Sequence, residues 1–274
     1  MDYQAEVYSA GLDHPECVAV APDGRVWAGG EGGQVYVIDP ETRQPEILCQ
    51  LDAMAAGLAF DREGNCYVCS QDNTVVRVSP SGKWEVFCSS VEGRPLRAPN
   101  YPVFGPDGTL YVSGSGDYPG PTGEIYRIDP RGTAALFHSG PFHYTNGLAI
   151  DAPARYLYVA QTATDDVVRV PLDGSGGVPE QVCAPGALLP MPDGLAFDAE
   201  QNLYVTSFGA SALERIRPDG SIEMVARDER GLTINRVTNC AFGGPEMDRL
   251  YLANLGGWHI SVITMDIPGQ PLFA

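Results

Sequence analysis

The sequence is poor in positive charge. It has 17 Lys and Arg against 35 Asp and Glu in 274 residues, which gives a net charge of −18 at pH 7. No basic stripe is present and this charge repels phosphate, so we expect no nucleic-acid partner. Hydrophobic residues still make up 44% and aromatic residues 9% of the chain. This composition allows a packed core and excludes global disorder.

Long apolar segments are also missing. No run approaches the roughly 18 residues that a membrane helix needs, so we expect no membrane partner. The first residues, MDYQAE, have neither the basic region nor the apolar stretch of a secretory signal. We therefore expect a soluble, cytoplasmic protein.

Cysteine usage agrees with that location. The seven cysteines are an odd number, and most lie in apolar runs such as ECVAV, NCYVCS and NCAF. We interpret them as small buried thiols in a reducing compartment. Cys66 and Cys69 resemble a redox pair, but residues three apart on a strand face opposite sides of the sheet. We therefore expect neither a disulfide nor a shared metal between them.

One unit is repeated six times along the chain. Each copy has a short apolar run, a turn and a second apolar run with an aromatic residue. These aromatics, spaced 40 to 47 residues apart, are Trp27, Tyr67, Tyr111, Tyr158, Tyr204 and Tyr251. A third alternating run follows in every copy and a fourth in five copies, with Asp-Gly and related turns between them. Four short antiparallel strands in about 45 residues are typical of a propeller blade.

The fold class is therefore an all-β, six-bladed β-propeller with four antiparallel strands per blade, in one domain over residues 1–274. The sixth copy lacks a fourth strand of its own. The segment AEVYSAGL (5–12) resembles the fourth strand of the second copy, WEVFCSSV (84–91). Residues 4–10 are predicted to complete blade 6 and to close the ring, which leaves no long free edge. A β-sandwich would not explain six copies in phase.

Equivalent positions at the start of the six first strands form a set that we call the axial column. Its members, each four residues before the last apolar residue of the first strand, are Glu16, Ala56, Asn100, Asn146, Asp193 and Thr238. Since first strands are innermost in a propeller, these side chains should converge on the central channel. Two carboxylates and two amides suit one hard divalent cation. The alternative is that Asn146-Gly147 and Asp193-Gly194 are only turns.

The motifs around this column resemble those of the SMP-30/gluconolactonase/LRE-like family, which includes regucalcin and bacterial sugar lactonases. The resemblance covers all six blades and is carried by His14-Pro15-Glu16, Pro99-Asn100, Thr145-Asn146-Gly147-Leu148, Pro192-Asp193-Gly194 and Asn239-Cys240-Ala241-Phe242-Gly243-Gly244-Pro245. It implies that one divalent cation, calcium ahead of magnesium, manganese or zinc, is held by Glu16, Asn100, Asn146 and Asp193. It also implies that Asp193 is the base in lactone hydrolysis.

The chain departs from the family around the second of these ligands. Family sugar lactonases commonly read Arg-x-Asn-Asp there, and the Arg binds the sugar acid. Here Ala98 occupies the Arg position, Arg97 lies one residue away and Tyr101 replaces the Asp. This difference favours lactone hydrolysis in general over a phosphorylated or highly polar sugar lactone.

Loops that lead into the first strands, or join second to third strands, should surround the same mouth. The longest, residues 114–123, contains Asp117 and Tyr118, and loops of this length on a regular scaffold are often functional. The residues predicted to contact substrate are Arg97, Tyr101, Asp117, Tyr118 and His143. Because aromatic and aliphatic groups outnumber charges on this rim, an apolar or aryl-bearing substrate is favoured.

We therefore predict a metal-dependent lactonase that acts on a small-molecule lactone or ester. Two alternatives stay open at this level. One is an arylesterase or organophosphate hydrolase that uses the same site, and the other is a propeller that binds a metal or small molecule without catalysis. The fold alone does not separate these functions, because function depends on the site.

Overall fold

The computed structural model describes residues 3–273, and they form six antiparallel sheets arranged as the blades of a propeller. The strands of blade 1 are β2 (Cys17–Val20), β3 (Val26–Gly29), β4 (Gln34–Ile38) and β5 (Pro45–Gln50). Those of blade 2 are β6 (Ala55–Phe60), β7 (Cys66–Ser70), β8 (Thr74–Val78) and β9 (Trp84–Cys88). Those of blade 3 are β12 (Pro99–Phe104), β13 (Leu110–Gly114), β14 (Glu124–Ile128) and β15 (Ala134–His138), extended by the two-residue strands β10 (Ser90–Val91) and β11 (Arg94–Pro95).

The second half of the chain repeats this arrangement. The strands of blade 4 are β16 (Thr145–Ile150), β17 (Tyr156–Gln161), β18 (Asp166–Pro171) and the short β19 (Glu180–Gln181). Those of blade 5 are β20 (Pro192–Phe197), β21 (Leu203–Ser207), β22 (Ala212–Ile216) and β23 (Ile222–Arg227), with a 3₁₀ turn at Phe208–Ala210. Those of blade 6 are β24 (Val237–Gly243), β25 (Arg249–Asn254), β26 (His259–Thr264) and β1 (Ala5–Ala10).

The N-terminal strand closes the ring, as the sequence predicts. β1 pairs antiparallel with β26, from Ala5 opposite Ile263 to Ala10 opposite His259. The first strands of neighbouring blades also contact one another in an unbroken circle that returns from β24 to β2. These contacts confirm the six-bladed propeller and place the starts of all first strands at one mouth of a central channel.

The repeated aromatic residues hold neighbouring blades together. Trp27 packs edge-on against Phe60 of the next blade with ring centroids 5.1 Å apart, and Tyr67 does the same with Phe104 at 5.2 Å. Such pairs stabilise a core beyond the burial of their area. The hydrophobic clusters accordingly lie between blades rather than within them.

The cysteines agree with the sequence interpretation. All seven are free, and six of them are buried. Cys66 and Cys69 lie in the middle strand β7 and are unpaired. Among residues 3–273, no helix is long and apolar enough to cross a membrane.

Candidate functional site at the channel mouth

A bulge interrupts the first strand of five blades at the axial column. Pairing with the second strand shifts register between Ala55 and Gly57, Pro99 and Pro102, Thr145 and Leu148, Pro192 and Leu195, and Val237 and Asn239. Each shift encloses one column residue. A bulge bends a strand and re-aims a side chain. In blade 1 the same position, Glu16, lies directly before β2, and its N–H donates to Gly29 O at 2.9 Å.

The glycine after Asn146 has a packing role. Asn146 and Asp193 both lie inside strands, β16 and β20, so a turn does not account for either residue. A Cβ added to Gly147 would lie 2.3 Å from the carbonyl oxygen of Asp193. Glycine therefore permits the close approach of these two inner strands, which brings their column residues together.

Hydroxyl groups link the column from blade to blade. Thr162 Oγ1 donates to Pro192 O at 2.8 Å, Thr206 Oγ1 to Thr238 O at 2.9 Å, and Thr238 Oγ1 to Glu16 O at 2.6 Å. Thr238 is thus a support for Glu16 and not a candidate ligand. Thr162 and Thr206 were not predicted from the sequence, although a hydroxyl residue near the end of the second strand is a signal that could have indicated them.

The polar atoms of the column are left free for a ligand. Asn146 Nδ2 donates to Thr162 Oγ1 at 3.2 Å, which leaves its carbonyl oxygen available. Asn100 and Asp193 are buried, and Glu16 Oε2 is a buried oxygen with no hydrogen-bond partner. A buried carboxylate oxygen without a partner is costly. A bound cation would remove this energetic cost.

The electrostatics of the two carboxylates lead to the same conclusion. Burial, together with the negative charge of Glu31, raises the pKa of Glu16 to about 8. Burial and then the charge of Glu16 raise the pKa of Asp193 well above its ordinary value. Within residues 3–273 neither carboxylate forms an ion pair with Lys, Arg or His. This part of the chain supplies no counter-charge to the column, so its carboxylates either stay protonated or require a bound cation to ionise.

The donor set fits a hard divalent cation. Two carboxylates and two amide oxygens are the ligands that such cations prefer. Two thiols lie nearby, but burial raises the pKa of both Cys17 and Cys240, with further contributions from Glu16 and Asp193 respectively. Protonated thiols are poor ligands, because it is the thiolate that binds metal. The residues that could hold a cation are therefore Glu16, Asn100, Asn146 and Asp193.

Four of the five predicted substrate contacts lie on the loops at this mouth. Arg97 forms an ion pair with Asp117, 2.9 Å between Nη2 and Oδ2. Tyr118 is 59% exposed and packs edge-on against Tyr144, with ring centroids 5.4 Å apart. His143 is half-buried, and its backbone N–H donates to Gln161 Oε1 at 2.9 Å. The sequence analysis did not single out Tyr144 as a contact.

Tyr101 lies deeper than the other four. Its backbone belongs to blade 3. Apart from burial, however, the groups that change the pKa of its phenol are Asn239, Cys240, Cys17 and Asp193, which belong to blades 6, 1 and 5. Its ring therefore reaches across the channel directly below the column. Burial raises the pKa of this phenol well above the ordinary value, so it stays protonated.

A second group of potential ligand atoms lies on the rim of blade 1. His14 Nδ1 is 2.9 Å from Asp13 Oδ1 and 3.2 Å from Glu31 Oε2. The His14 ring also packs against Trp258, with ring centroids 4.5 Å apart. These half-buried and exposed groups already contact one another. They lie on the blade 1 side of the column, near Glu16, and are not part of it.

The opposite mouth holds a separate apolar cavity of about 510 Å³. Tyr101 contributes to its lining, and the four candidate ligands do not. The C-terminal segment crosses this mouth, where Gln270 N donates to Phe197 O at 2.9 Å and Gln270 Nε2 to Ile150 O at 3.0 Å. This cavity is therefore below the candidate site and does not include its ligands.

Comparison with known proteins identifies the family. The model of the SMP-30/Gluconolactonase/LRE-like region matches residues 15–255, which includes the whole axial column. The chain belongs to this family. A pentonolactonase, XacC of Haloferax volcanii, is 25% identical over 236 residues, 84% of this chain and 77% of its own length. The diisopropyl-fluorophosphatase of Loligo vulgaris is 25% identical over 225 residues, 73% of this chain and 71% of its own length.

Solved structures of SMP-30/gluconolactonase relatives share the fold. A regucalcin from Agrobacterium tumefaciens, described as a calcium-binding protein, superposes with a TM-score of 0.78 at 19% identity. The match covers 100% of this chain and 98% of that protein. The propeller is therefore preserved over the full length of a structure that differs in four of five residues.

Proposed function

We propose that this protein is a divalent-metal-dependent hydrolase that opens lactones. The observation that carries the proposal is the axial column, in which two buried carboxylates without counter-charge meet two amides at one mouth of the channel. The pentonolactonase relative supports the substrate class. Calcium is the preferred candidate, with magnesium, manganese or zinc as others, because the donors are all oxygen. The regucalcin similarity agrees with calcium.

The proposed roles of the residues follow from their positions. Glu16, Asn100, Asn146 and Asp193 would hold the cation. When bound, it would polarise the ester carbonyl, stabilise the developing negative charge and keep both carboxylates ionised. Asp193 would accept a proton from water as the water oxygen attacks the carbonyl carbon. The carbon–oxygen bond of the ring then breaks, and the ring oxygen takes the proton from Asp193.

The remaining predicted contacts would enclose the substrate. Tyr101 would form the floor below the reacting carbonyl, and Arg97, Asp117, Tyr118 and His143 would border the mouth. We treat residues 1–274 as one propeller domain, since its N-terminal strand completes its last blade. The seven free thiols support a reducing, cytoplasmic location.

Two matched amide substitutions test the proposal. Asp193→Asn and Glu16→Gln each remove one charge from the column, so both should weaken metal binding, measured by calorimetry. At metal concentrations that saturate each variant, lactone hydrolysis should fall roughly 100-fold or more in Asp193→Asn only, the usual contribution of a general base. Equal activities of the two saturated variants would remove Asp193 from the base role.

A second candidate activity is hydrolysis of aryl esters or organophosphates at the same site. The observation in favour of organophosphates is the similarity to the diisopropyl-fluorophosphatase over most of both chains. Assays with lactones, aryl esters, phosphotriesters and a phosphorofluoridate, each with and without chelator, separate these activities. If the loaded protein turned over none of them, a binding protein without catalysis would be the better description.

A further inference from the structure

The cationic side chains at the blade 3 edge of the mouth are neutralised by neighbouring carboxylates. Arg94 Nη2 lies 2.7 Å from Glu124 Oε2, and Arg97 Nη2 lies 2.9 Å from Asp117 Oδ2. Asp117 is held in turn by Thr122, because the Asp117 backbone N–H donates a hydrogen bond to Thr122 Oγ1 at 2.7 Å. Each arginine is therefore paired with a carboxylate through one nitrogen, although Arg94 Nη1 is buried without a hydrogen-bond partner among the described residues.

The remaining charge at this mouth is negative. Asp13 and Glu31 lie on the rim of blade 1, while a bound cation would compensate the charges of Glu16 and Asp193 at the base. The chain as a whole carries a net charge of −18. An anionic substituent on a substrate would therefore face the rim carboxylates and the negative field of the whole chain.

The Tyr118 and Tyr144 rings offer the mouth an apolar surface instead. Tyr144 is the inner ring and is half-buried. Burial, followed by the nearby Asp193 and Glu16 carboxyl groups, raises the pKa of its phenol. Tyr118 is the outer ring, and its interplanar angle with Tyr144 is 84°. The two rings thus lead from the column outward to solvent.

The backbone of the inner tyrosine is linked to the same support as a candidate ligand. Thr162 N–H donates to Tyr144 O at 3.1 Å, and Thr162 Oγ1 accepts the hydrogen bond from Asn146 Nδ2 at 3.2 Å. Tyr144 itself has φ +61°, a left-handed conformation that is uncommon for an aromatic residue. Its position relative to Asn146 is therefore set by the backbone and does not depend on a mobile loop.

We propose that Tyr118 and Tyr144 select lactones that carry an apolar or aryl substituent, while Asp117 prevents Arg97 from binding an anionic one. This inference rests on the proposed function for the position of the lactone ring. An apolar substituent would pack along the two tyrosine rings, since offset and edge-on contacts with aromatic rings are favourable. Loss of such a contact typically changes kcat/KM by about 10-fold or more.

The first arm of the test uses Tyr118→Ala and a pair of γ-lactones, one unsubstituted and one with a phenyl group on the carbon next to the ring oxygen. Wild type should prefer the phenyl lactone by about 10-fold in kcat/KM, and Tyr118→Ala should lose that preference because it lowers kcat/KM for the phenyl lactone about 10-fold more than for the unsubstituted one. Trp84→Ala is the matched control, because Trp84 is an exposed aromatic on the outer strand β9. An unchanged preference in Tyr118→Ala would overturn the role of the tyrosines.

Binding measurements test the role of the tyrosines without requiring that the protein hydrolyse a lactone. The corresponding lactams, which resist hydrolysis, are titrated calorimetrically into wild type and Tyr118→Ala. Tighter binding of the phenyl lactam in wild type, lost in the variant, supports the inference even if no lactone is hydrolysed. Equal binding of both lactams to wild type would overturn it, even if lactone hydrolysis itself were observed.

The second arm tests the masking of Arg97. Asp117→Asn keeps the shape of the side chain and removes its charge, so Arg97 becomes available to an anion. The ratio of kcat/KM for a γ-lactone with a sulfonate substituent to that for the unsubstituted lactone should rise by about threefold to 10-fold, consistent with the modest strength of an exposed ion pair. The corresponding sulfonate lactam should bind more tightly by the same factor. No gain with either compound would overturn the masking role of Asp117.

Discussion

The two ends of the six first strands differ in how similar the equivalent residues are from blade to blade. We call the end with the axial column the upper end and the opposite end the lower end. At the lower end the equivalent residues are all large and apolar: Val20, Phe60, Phe104, Ile150, Phe197 and Phe242. Four of them pack edge-on against the second-strand aromatic of the preceding blade, at centroid distances of 5.0 to 5.4 Å. At the upper end the axial column contains two carboxylates, two amides, an alanine and a threonine.

This difference separates residues that build the ring from residues to which we assign a function. The lower positions make equivalent packing contacts in each blade, so the same kind of side chain suits each. The upper positions lie at one mouth, where the proposed cation would need different oxygens from different directions. Two buried like charges there destabilise the metal-free fold, whereas the lower end stabilises it. The predictions below use the free energy of unfolding to compare the two ends.

The largest effect on stability is expected at the lower end. Phe197 is buried and packs against Tyr158 with ring centroids 5.0 Å apart. Phe197→Ala should reduce the free energy of unfolding by about 3–5 kcal/mol through lost burial and the cavity left behind. Denaturant unfolding of the metal-free protein measures this loss. Asp193→Asn, at the other end of the same strand, is the control and should not destabilise the metal-free protein. A large loss in the control would contradict the division between the two ends.

An intermediate effect is expected from the upper end as the pH changes. In the metal-free protein the pKa of Glu16 is raised from 4.5 to about 8, and that of Asp193 is also raised. The folded protein therefore keeps protons that the unfolded chain has released. This contribution to stability is full below the unfolded pKa and is lost as the pH rises from about 4.5 to about 8. Each retained proton accounts for about 1.4 kcal/mol per pH unit.

The melting temperature in chelator, followed against pH, measures this contribution. Glu16→Gln cannot titrate, so its profile should be flatter and its melting temperature at pH 8 higher than that of wild type. Added calcium should flatten the wild-type profile, because the cation compensates the charge. Parallel profiles for wild type and Glu16→Gln in chelator would show that Glu16 does not carry this pH dependence.

The smallest effect is expected for the hydroxyl that supports Glu16. Thr238→Val keeps the shape of the side chain and removes the hydrogen bond to Glu16 O. The free energy of unfolding should fall by about 1 kcal/mol, the usual net contribution of one hydrogen bond. Metal affinity, measured by calorimetry, should fall by a few-fold because Glu16 is less firmly placed. A stability loss with unchanged affinity would limit Thr238 to a structural role.

Much of the fold could be predicted from the sequence because its signals are local and repeat. The six copies, the second-strand aromatics and the closing strand at Ala5–Ala10 each follow from pattern alone. The axial column followed from the same alignment of repeats, since equivalent positions must converge in a ring. The family assignment is confirmed by the match over residues 15–255.

Other features of the site depend on contacts between blades, which the pattern of one copy does not contain. The bulges at the column, the Thr162 support and the reach of Tyr101 across the channel are of this kind. Arg97 and Asp117 were both predicted to contact substrate, but their pairing depends on how two separate loops meet. The metal ligands and the base remain predictions that the proposed variants test.

The position of Tyr101 has a consequence for exchange with solvent. Its ring lies between the column and the lower cavity, and the C-terminal segment crosses the far mouth of that cavity. Under the proposed function, substrate and product would enter and leave by the same opening, so a product would have to depart before the next substrate could approach. Release would be governed by the side chains around that opening, and a slower departure would limit turnover even where the chemical step is fast.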